Sequence, residues 1–177
     1  SPMGMLLNGT RGIYLCVPRD MTRAAGFYNT LMQSNDPGMV IECLNGYRTK
    51  EKMPNNIGEF RIPLGKVEVT KEGYDITLVT YGSTWRVVMD AAEKLDRVGI
   101  SCEVIDTQTL VPFDLSSDIV ESVKKTNRLL VIDEDVPGGA SAYILQKIIE
   151  EQNAYNFLDS EPKTLPAKEH RPPYGKD

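Results

Sequence analysis

The sequence has few of the residues that most often build catalytic and metal sites. It contains three cysteines and a single histidine, His170, in 177 residues. No Cys-x-x-Cys or His-x-x-x-His spacing occurs, so the usual kinds of zinc site are excluded. A Ser/His/Asp or Cys/His arrangement would have to use His170, which lies among prolines and charged residues. We therefore expect His170 to be an exposed tail residue.

Further absences narrow the class of protein. Cys16, Cys43 and Cys102 stand far apart inside apolar runs, which favours reduced core thiols in a cytoplasmic compartment over disulfides. No segment reaches the roughly 20 apolar residues of a membrane helix, and the N-terminus lacks a signal pattern. Twenty basic and twenty-five acidic residues give a net charge of -5 without a long basic run. We expect a soluble globular protein that binds neither nucleic acid nor membrane.

From residue 75 onward the sequence alternates between strand and helix patterns. Strands are predicted at residues 76–81, 102–105 and 129–132. Ser83 or Thr84 can cap the first following helix, Asp114 the second, and Gly138-Gly139 opens the third. Three β-then-α units in succession predict an α/β fold with an open, doubly wound and mostly parallel sheet.

The first seventy residues contain one βαβ unit only. We predict strands at residues 13–17 and 39–43 and, between them, a helix capped by Asp20. Because a two-stranded parallel sheet cannot cover both its faces, we expect this segment to need strands that the chain does not contain, and the chain to begin inside a domain. The predicted organisation is an incomplete domain at 1–62, a linker at 63–74 and the doubly wound domain at 75–177. A short strand is expected at 66–70, and 153–177 reads as a tail without a helical stripe.

The turn after the first helix is a candidate cation site. Residues 33–37 offer several side-chain and backbone oxygens in a short arc. Hard oxygen ligands of this kind suit a group I or group II cation. A plain Asx turn that ends the helix before Pro37 is the alternative.

A second candidate site is the acidic turn of Asp133, Glu134 and Asp135, which follows the third strand. It has the position of a phosphate-binding loop, but Gly-x-Gly-x-x-Gly is absent and three carboxylates repel phosphate. The turn is then either structural, complementing a helix N-terminus, or a surface for a basic partner. In the second case Glu134 and Asp135 are the candidate docking residues.

Several segments together resemble a known family. These are Cys16-Val17-Pro18, residues 35–42, Thr80-Tyr81-Gly82-Ser83, residues 104–114, Asp133-Glu134 before Gly138-Gly139, and the proline-rich ending at 166–174. The first two resemble the second half of the pyrimidine-binding domain in beta subunits of 2-oxo acid dehydrogenases. The others resemble the transketolase-type C-terminal domain that follows it. Two departures are Gln108, where the family usually has Arg, and Ser34, where Asp is common.

The resemblance implies a function as well as a fold. It implies part of the thiamine-diphosphate-dependent component that decarboxylates pyruvate or a branched-chain 2-oxo acid and passes the acyl group to a lipoyl arm. Thiamine diphosphate and Mg²⁺ would be bound mainly by residues outside this chain, which would hold no catalytic residue and be inactive alone. Leu31, Ser34 and Asp36 are the implied potassium ligands. The implied partners are an alpha subunit or alpha region, a second beta-type copy and a dihydrolipoyl acyltransferase.

Two alternative functions stay open at this point. Transketolase or deoxyxylulose-phosphate synthase share both domain types, but sugar phosphates would call for Arg and His at an anion site, and the single histidine argues against them. The other alternative is a noncatalytic module that serves only assembly or regulation.

Overall fold

The computed structural model describes residues 2–169, apart from the side chain of Asn45. The prediction for His170 and the resemblance at 170–174 lie outside the described residues. The helices are α1 (Met3–Gly9), α2 (Met21–Leu31), α3 (Thr84–Asp96), α4 (Asp118–Thr126) and α5 (Ala140–Gln146), which continues as a π-helical turn at Lys147–Glu151; short 3-10 helices lie at Leu44–Arg48 and Ala154–Phe157. The strands are β1 (Tyr14–Cys16), β2 (Gly38–Val40), β3 (Glu68–Lys71), β4 (Ile76–Thr80), β5 (Cys102–Asp106), β6 (Thr109–Val111), β7 (Leu129–Ile132) and β8 (Lys163–Leu165).

The larger sheet has five strands in the order β3-β5-β4-β7-β8. Strands β5, β4, β7 and β8 run parallel, and β3 is an antiparallel edge strand. Leu78 and Val104 pack on one face against α3, whereas Val79, Ile105 and Val131 face the core that contains α4 and α5. This alternation follows from the period-two geometry of strands and confirms the predicted doubly wound, mostly parallel sheet.

The smaller sheet has three strands in the order β2-β1-β6. Strand β6 comes from the C-terminal part of the chain and pairs antiparallel with β1. Cys16 of β1 packs with Phe27 of α2, while Leu15 and Val17 point the other way, into the core of the larger sheet. The sequence did not predict β6, by which the chain itself adds a third strand to this sheet, and the larger sheet's core covers the second face. The expectation that further strands come from outside the chain stays a prediction.

Two helix caps follow the sequence signals closely. The backbone N–H of Arg23 donates to Asp20 Oδ1 over 2.7 Å, so Asp20 caps α2 as predicted. Asp114 accepts hydrogen bonds from the backbone N–H groups of Asp118 and Ile119, each over 3.0 Å. Asp114 therefore stabilises the start of α4, although the helix begins only at Asp118.

Three elements differ from the predictions. The short helix α1 was not predicted, and Met3 at its start is buried. The short strand expected at 66–70 is present as β3, but it is an edge strand of the larger sheet rather than part of a linker. Strand β8 and the 3-10 helix before it lie where 153–177 was expected to be a tail, so that prediction is wrong for these residues. All three residues of β8 are exposed, so no apolar pattern marks the strand in the sequence.

The cysteines are unpaired. Cys16 and Cys102 are fully buried, as predicted for core thiols, while Cys43 is only partly buried. Burial raises the pKa of Cys16 to about 12. Among residues 2–169, no helix has the length and apolar character needed to cross a bilayer.

Candidate functional site

The candidate functional region lies where the carboxyl ends of strands from both sheets meet. Val17 and Ile41 follow β1 and β2 of the smaller sheet, and Ser83 and Glu134 follow β4 and β7 of the larger one. These residues line a cavity of about 420 Å³ together with Pro2, Met3, Glu42, Cys43 and Leu44. Ligands of open α/β sheets bind at the carboxyl ends of the strands, so the topology favours this edge as a site.

Asp133, the first residue of the acidic turn, has a structural role. Its side chain is 4% exposed and accepts hydrogen bonds from the hydroxyl of Tyr81 and from the backbone N–H of Ser141, the latter over 2.8 Å. Ser141 lies in the first turn of α5, where unsatisfied N–H groups favour a carboxylate. The structural interpretation of the acidic turn therefore holds for Asp133.

The two predicted docking residues have different environments. Asp135 is 7% exposed, and its carboxylate accepts hydrogen bonds from the backbone N–H groups of Gly4, over 2.8 Å, and Val136, over 3.0 Å. The hydrogen bond from Gly4 to Asp135 thus links α1 to the loop before α5. Glu134 is exposed and accepts a hydrogen bond from the hydroxyl of Ser83. Glu134 is the one of the two that a partner can reach in this arrangement.

Glu42 adds a second carboxylate to the same cavity. The hydroxyls of Tyr28 and Tyr47 both donate hydrogen bonds to it. The hydrogen bond to Glu42, aided by burial, raises the pKa of Tyr28 to about 12. With Glu42 and Glu134 on its wall and no basic residue among its lining, the cavity presents a negative surface.

The three predicted potassium ligands lie together in the turn after α2. The carbonyl of Leu31 accepts the N–H of Ser34 over 3.0 Å, and the hydroxyl of Ser34 accepts the N–H of Asp36 over 3.1 Å. The hydroxyl of Tyr14 donates to Asp36 Oδ2 over 3.0 Å, and this hydrogen bond raises the pKa of Tyr14. Carbonyl, hydroxyl and carboxylate oxygens keep further lone pairs, so the donor set suits a hard cation in chemical type. Within the described part of the chain, no group of three or more His, Cys, Asp or Glu side chains could hold a metal ion.

The buried ionic network around Arg19 was not predicted from the sequence. Arg19 follows β1 and is 6% exposed. Its Nη1 donates to Asp106 Oδ2 over 2.6 Å and to Glu68 Oε2 over 2.9 Å. The guanidinium carbon lies 4.7 Å from the ring centroid of Trp85, whose Nε1 donates to Thr70. A charged residue at the end of the buried strand β5 was the available signal, but its partner could be found only from the tertiary structure.

Two carboxyls of this network differ in their pKa. Burial raises the pKa of Asp106 to about 6 in spite of the neighbouring Arg19 guanidinium. For Glu68 burial acts in the same direction but is outweighed, and hydrogen bonds from Arg19 and Arg23 lower its pKa. Gln108, where a family arginine was expected, donates from Nε2 to the carbonyl of Lys66 over 2.9 Å and carries no charge into the network.

The fold and this edge of the sheets define the class as an α/β protein of transketolase-like architecture. A family model, transketolase C-terminal domain, matches residues 65–177. The chain belongs to this family, and the resemblance predicted from the sequence is confirmed.

Individual relatives are beta subunits of 2-oxo acid dehydrogenases. The chain is 36% identical to the pyruvate dehydrogenase E1 component subunit beta of Staphylococcus epidermidis over 147 residues, which is 82% of this chain and 44% of that protein. It is also 36% identical to the mitochondrial 2-oxoisovalerate dehydrogenase subunit beta of Dictyostelium discoideum, over 81% of this chain and 38% of that protein. The chain therefore spans less than half the length of either relative.

A solved structure shares the fold. It is described as a split gene transketolase, inactive beta4 tetramer, and matches with a TM-score of 0.71 and 20% identity. The match covers 94% of this chain and 51% of that chain. At this identity the likeness concerns the fold alone.

Proposed function

We propose that the chain is part of the decarboxylating component of a 2-oxo acid dehydrogenase complex, as a beta subunit or the beta region of a fused chain. This proposal rests on the 36% identity between the chain and beta subunits that are named as parts of pyruvate dehydrogenase and 2-oxoisovalerate dehydrogenase. The identity extends over more than four fifths of the chain. The chain contributes scaffold, dimer contacts and a docking surface, in a cytoplasmic compartment that suits its free cysteines.

The cofactor sites of this proposal lie mainly outside the chain. Thiamine diphosphate, when bound, supplies the electron sink for decarboxylation. The sequence contains no Gly-Asp-Gly motif for the diphosphate. Residues 2–169 contain no cluster of carboxylates that could hold the Mg²⁺ ion. We therefore assign no chemical step to residues of this chain. Potassium is proposed at Leu31, Ser34 and Asp36, where it would fix the end of α2 relative to β2.

The test of this function uses the native assembly that contains the chain. We expect the purified assembly to release CO₂ from pyruvate or from a branched-chain 2-oxo acid, and to lose this activity when thiamine diphosphate is removed. The chain by itself is expected to show no activity. An assembly without thiamine-dependent decarboxylation of any 2-oxo acid would instead support the noncatalytic alternative, and activity with sugar phosphates would support the transketolase alternative.

Docking of the dihydrolipoyl acyltransferase is proposed at Glu134. This residue is exposed, and the cavity beside it is acidic, so it suits a basic segment of the partner. We expect Glu134→Lys to weaken binding of the acyltransferase about tenfold, chiefly through slower association at low salt. Glu93→Lys on the exposed side of α3 is the matched control. Equal affinities for the two variants and the wild type would remove Glu134 from the docking surface.

Assembly with an alpha subunit and with a second beta-type copy completes the proposal. The relatives are beta subunits by name, and the structurally similar protein is a tetramer by title. Several large apolar side chains of α2 and the loops around it are exposed, among them Met32, Leu44, Tyr47 and Met53. Exposed apolar surface of this kind marks contact sites between subunits.

A further inference from the structure

A groove runs between the edge strand β3 and helix α4, on the face of the larger sheet that lies opposite to α3. Helix α4 packs over β4 and β5, and the cleft beside it has a volume of about 510 Å³. Val69 of β3 is in register with Ile105 of β5, so both side chains point to this face. Ile105 is fully buried, whereas Val69 is 39% exposed. The face is therefore covered at β5 and open at β3.

The floor of the groove is apolar, and an ion pair lies at one of its ends. Val67 precedes Val69 by two residues, lies on the same face and is buried. Lys66, just before β3, pairs with Asp118 at the start of α4. Because these two charges compensate each other, this end of the groove offers an apolar surface without a net charge.

The other end of the groove has more negative than positive charge. Lys125 of α4 pairs there with Glu72 over 2.7 Å and also with Glu103 of β5. Glu103 is 1% exposed and accepts the backbone N–H of Gly73 over 3.2 Å, while Glu72 is 72% exposed. The ring of Tyr74, which is exposed, has its centroid 5.5 Å from Lys125 Nζ. One ammonium group thus faces two carboxylates, and an exposed carboxylate beside an aromatic ring suits a further cationic side chain.

The remaining charges of the lining do not reverse this sign. Glu68 also lines the groove, but two arginine side chains hold its carboxylate. Glu121 on the rim forms an exposed pair with Lys124, and pairs of this kind contribute little. The groove therefore keeps a negative charge that is concentrated at Glu72.

Two features of the chain decide which occupant fits the groove. A second copy would bring the same acidic groove, and the chain has a net charge of -5, so repulsion opposes self-association at this surface. The bulge between Val69 and Lys71 interrupts the edge of β3, which disfavours the addition of another strand. The groove is therefore suited to a basic partner that is recognised through its side chains.

We propose that the groove between β3 and α4 is a docking surface for a basic segment of a partner protein, which places an apolar side chain on Val69 and a lysine or arginine side chain against Glu72. This surface is separate from the one at Glu134, because different residues line the two cavities. It does not depend on the assignment to a 2-oxo acid dehydrogenase, since it uses only the shape and charge of the groove. Charge attraction speeds the association and weakens as the salt concentration rises.

The experiment titrates the full chain with the probe peptide acetyl-Lys-Val-Lys-Val-Lys-amide at low salt and follows the valine methyl signals by NMR. We expect the signals of Val67 and Val69 to shift, and that of Val87, exposed on α3, to stay in place. Glu72→Lys should weaken binding about tenfold. Glu93→Lys, an equal charge reversal on the exposed side of α3, should leave the affinity unchanged. The acidic peptide acetyl-Glu-Val-Glu-Val-Glu-amide should cause no shift.

A second variant tests the apolar part of the contact without a change of charge. Val69→Thr keeps the shape of the side chain but removes a buried methyl group, which should weaken binding about fourfold. Val98→Thr, at an exposed valine beyond α3, is the matched control. Equal affinity of Val69→Thr and the parent chain would remove Val69 from the contact.

Two further outcomes bear on the proposal as a whole. Signals of Val67 and Val69 that ignore the basic peptide, or that respond equally to the acidic one, would overturn it. Sedimentation that shows a dimer of the parent chain, broken by Glu72→Lys, would also contradict it, because the occupant would then be a second copy.

Discussion

The two sheets differ in whether the helices that cover their faces come from their own βα units. The five-stranded sheet has α3 on one face and α4 and α5 on the other, all from its own βα units. The three-stranded sheet has only α2 of its own and takes β6 and the cover of its second face from the C-terminal part of the chain. The smaller sheet therefore depends on the larger one for its stability and is not an independent layer.

The largest expected effect comes from truncating the single aromatic core residue of α2. Phe27 is fully buried beside Cys16 and Ile62. If the smaller sheet unfolds together with the larger one, Phe27→Ala should lower the free energy of unfolding by about 3–5 kcal/mol in one transition. Denaturant unfolding monitored by circular dichroism and by Trp85 fluorescence measures this. Two separated transitions would show that the smaller sheet is independent.

A close approach inside the larger sheet provides the next prediction. A Cβ at Gly73 would overlap the backbone carbonyl carbon of Cys102 and the backbone nitrogen of Glu103. Because backbone atoms of a central strand cannot move aside, Gly73→Ala should cost about 1–3 kcal/mol or more of stability. Gly58→Ala, which meets no atom within 4 Å, is the control and should change little. Equal unfolding midpoints for the two variants would contradict the packing at Gly73.

The cap of α4 gives a smaller effect. Asp114 accepts the N–H groups of Asp118 and Ile119, so Asp114→Ala should cost about 1–2 kcal/mol in thermal or denaturant unfolding. Ser117 stands at the position of the cap, but its side chain makes no capping hydrogen bond, so Ser117→Ala should have a much smaller effect. The reverse order of the two variants would show that Ser117, not Asp114, caps the helix.

The smallest effect is expected at the turn after α2. Tyr14→Phe removes the hydroxyl that donates to Asp36 in an exposed hydrogen bond, so it should change the stability less than Asp114→Ala does. The same variant also bears on the potassium proposal, because it frees a lone pair of Asp36 that a potassium ion could use. We expect K⁺ to raise the melting temperature of the parent chain more than Na⁺ does. An identical response to both ions would argue against a site at Leu31, Ser34 and Asp36.

The three inner strands of the larger sheet, β5, β4 and β7, were predictable from the sequence because each carries its own local signal. Residues 129–132 are apolar and of strand length, and the structure has β7 at those residues. Asp20 and Asp114 predict the helices that follow them, because each is a residue type that caps a helix N-terminus. Signals of this kind need no knowledge of the tertiary structure.

The rest could not be predicted because it depends on distant partners. Strand β6 has three residues and is a strand only because β1 lies beside it. The pairing of Arg19 with Asp106 spans 87 residues of sequence. Asp135 and Glu134 look equivalent in the sequence, yet the packing of α1 buries the first and leaves the second exposed.

Hydrogen exchange of the backbone amides in β1 and β4 tests the dependence of the smaller sheet most directly. We expect amides of Leu15 and Cys16 to exchange with nearly the same opening free energy as those of Leu78 and Val79, because both sheets open together. If the amides of β1 exchange through openings that cost several kcal/mol less than those of β4, the smaller sheet opens alone and the account is contradicted.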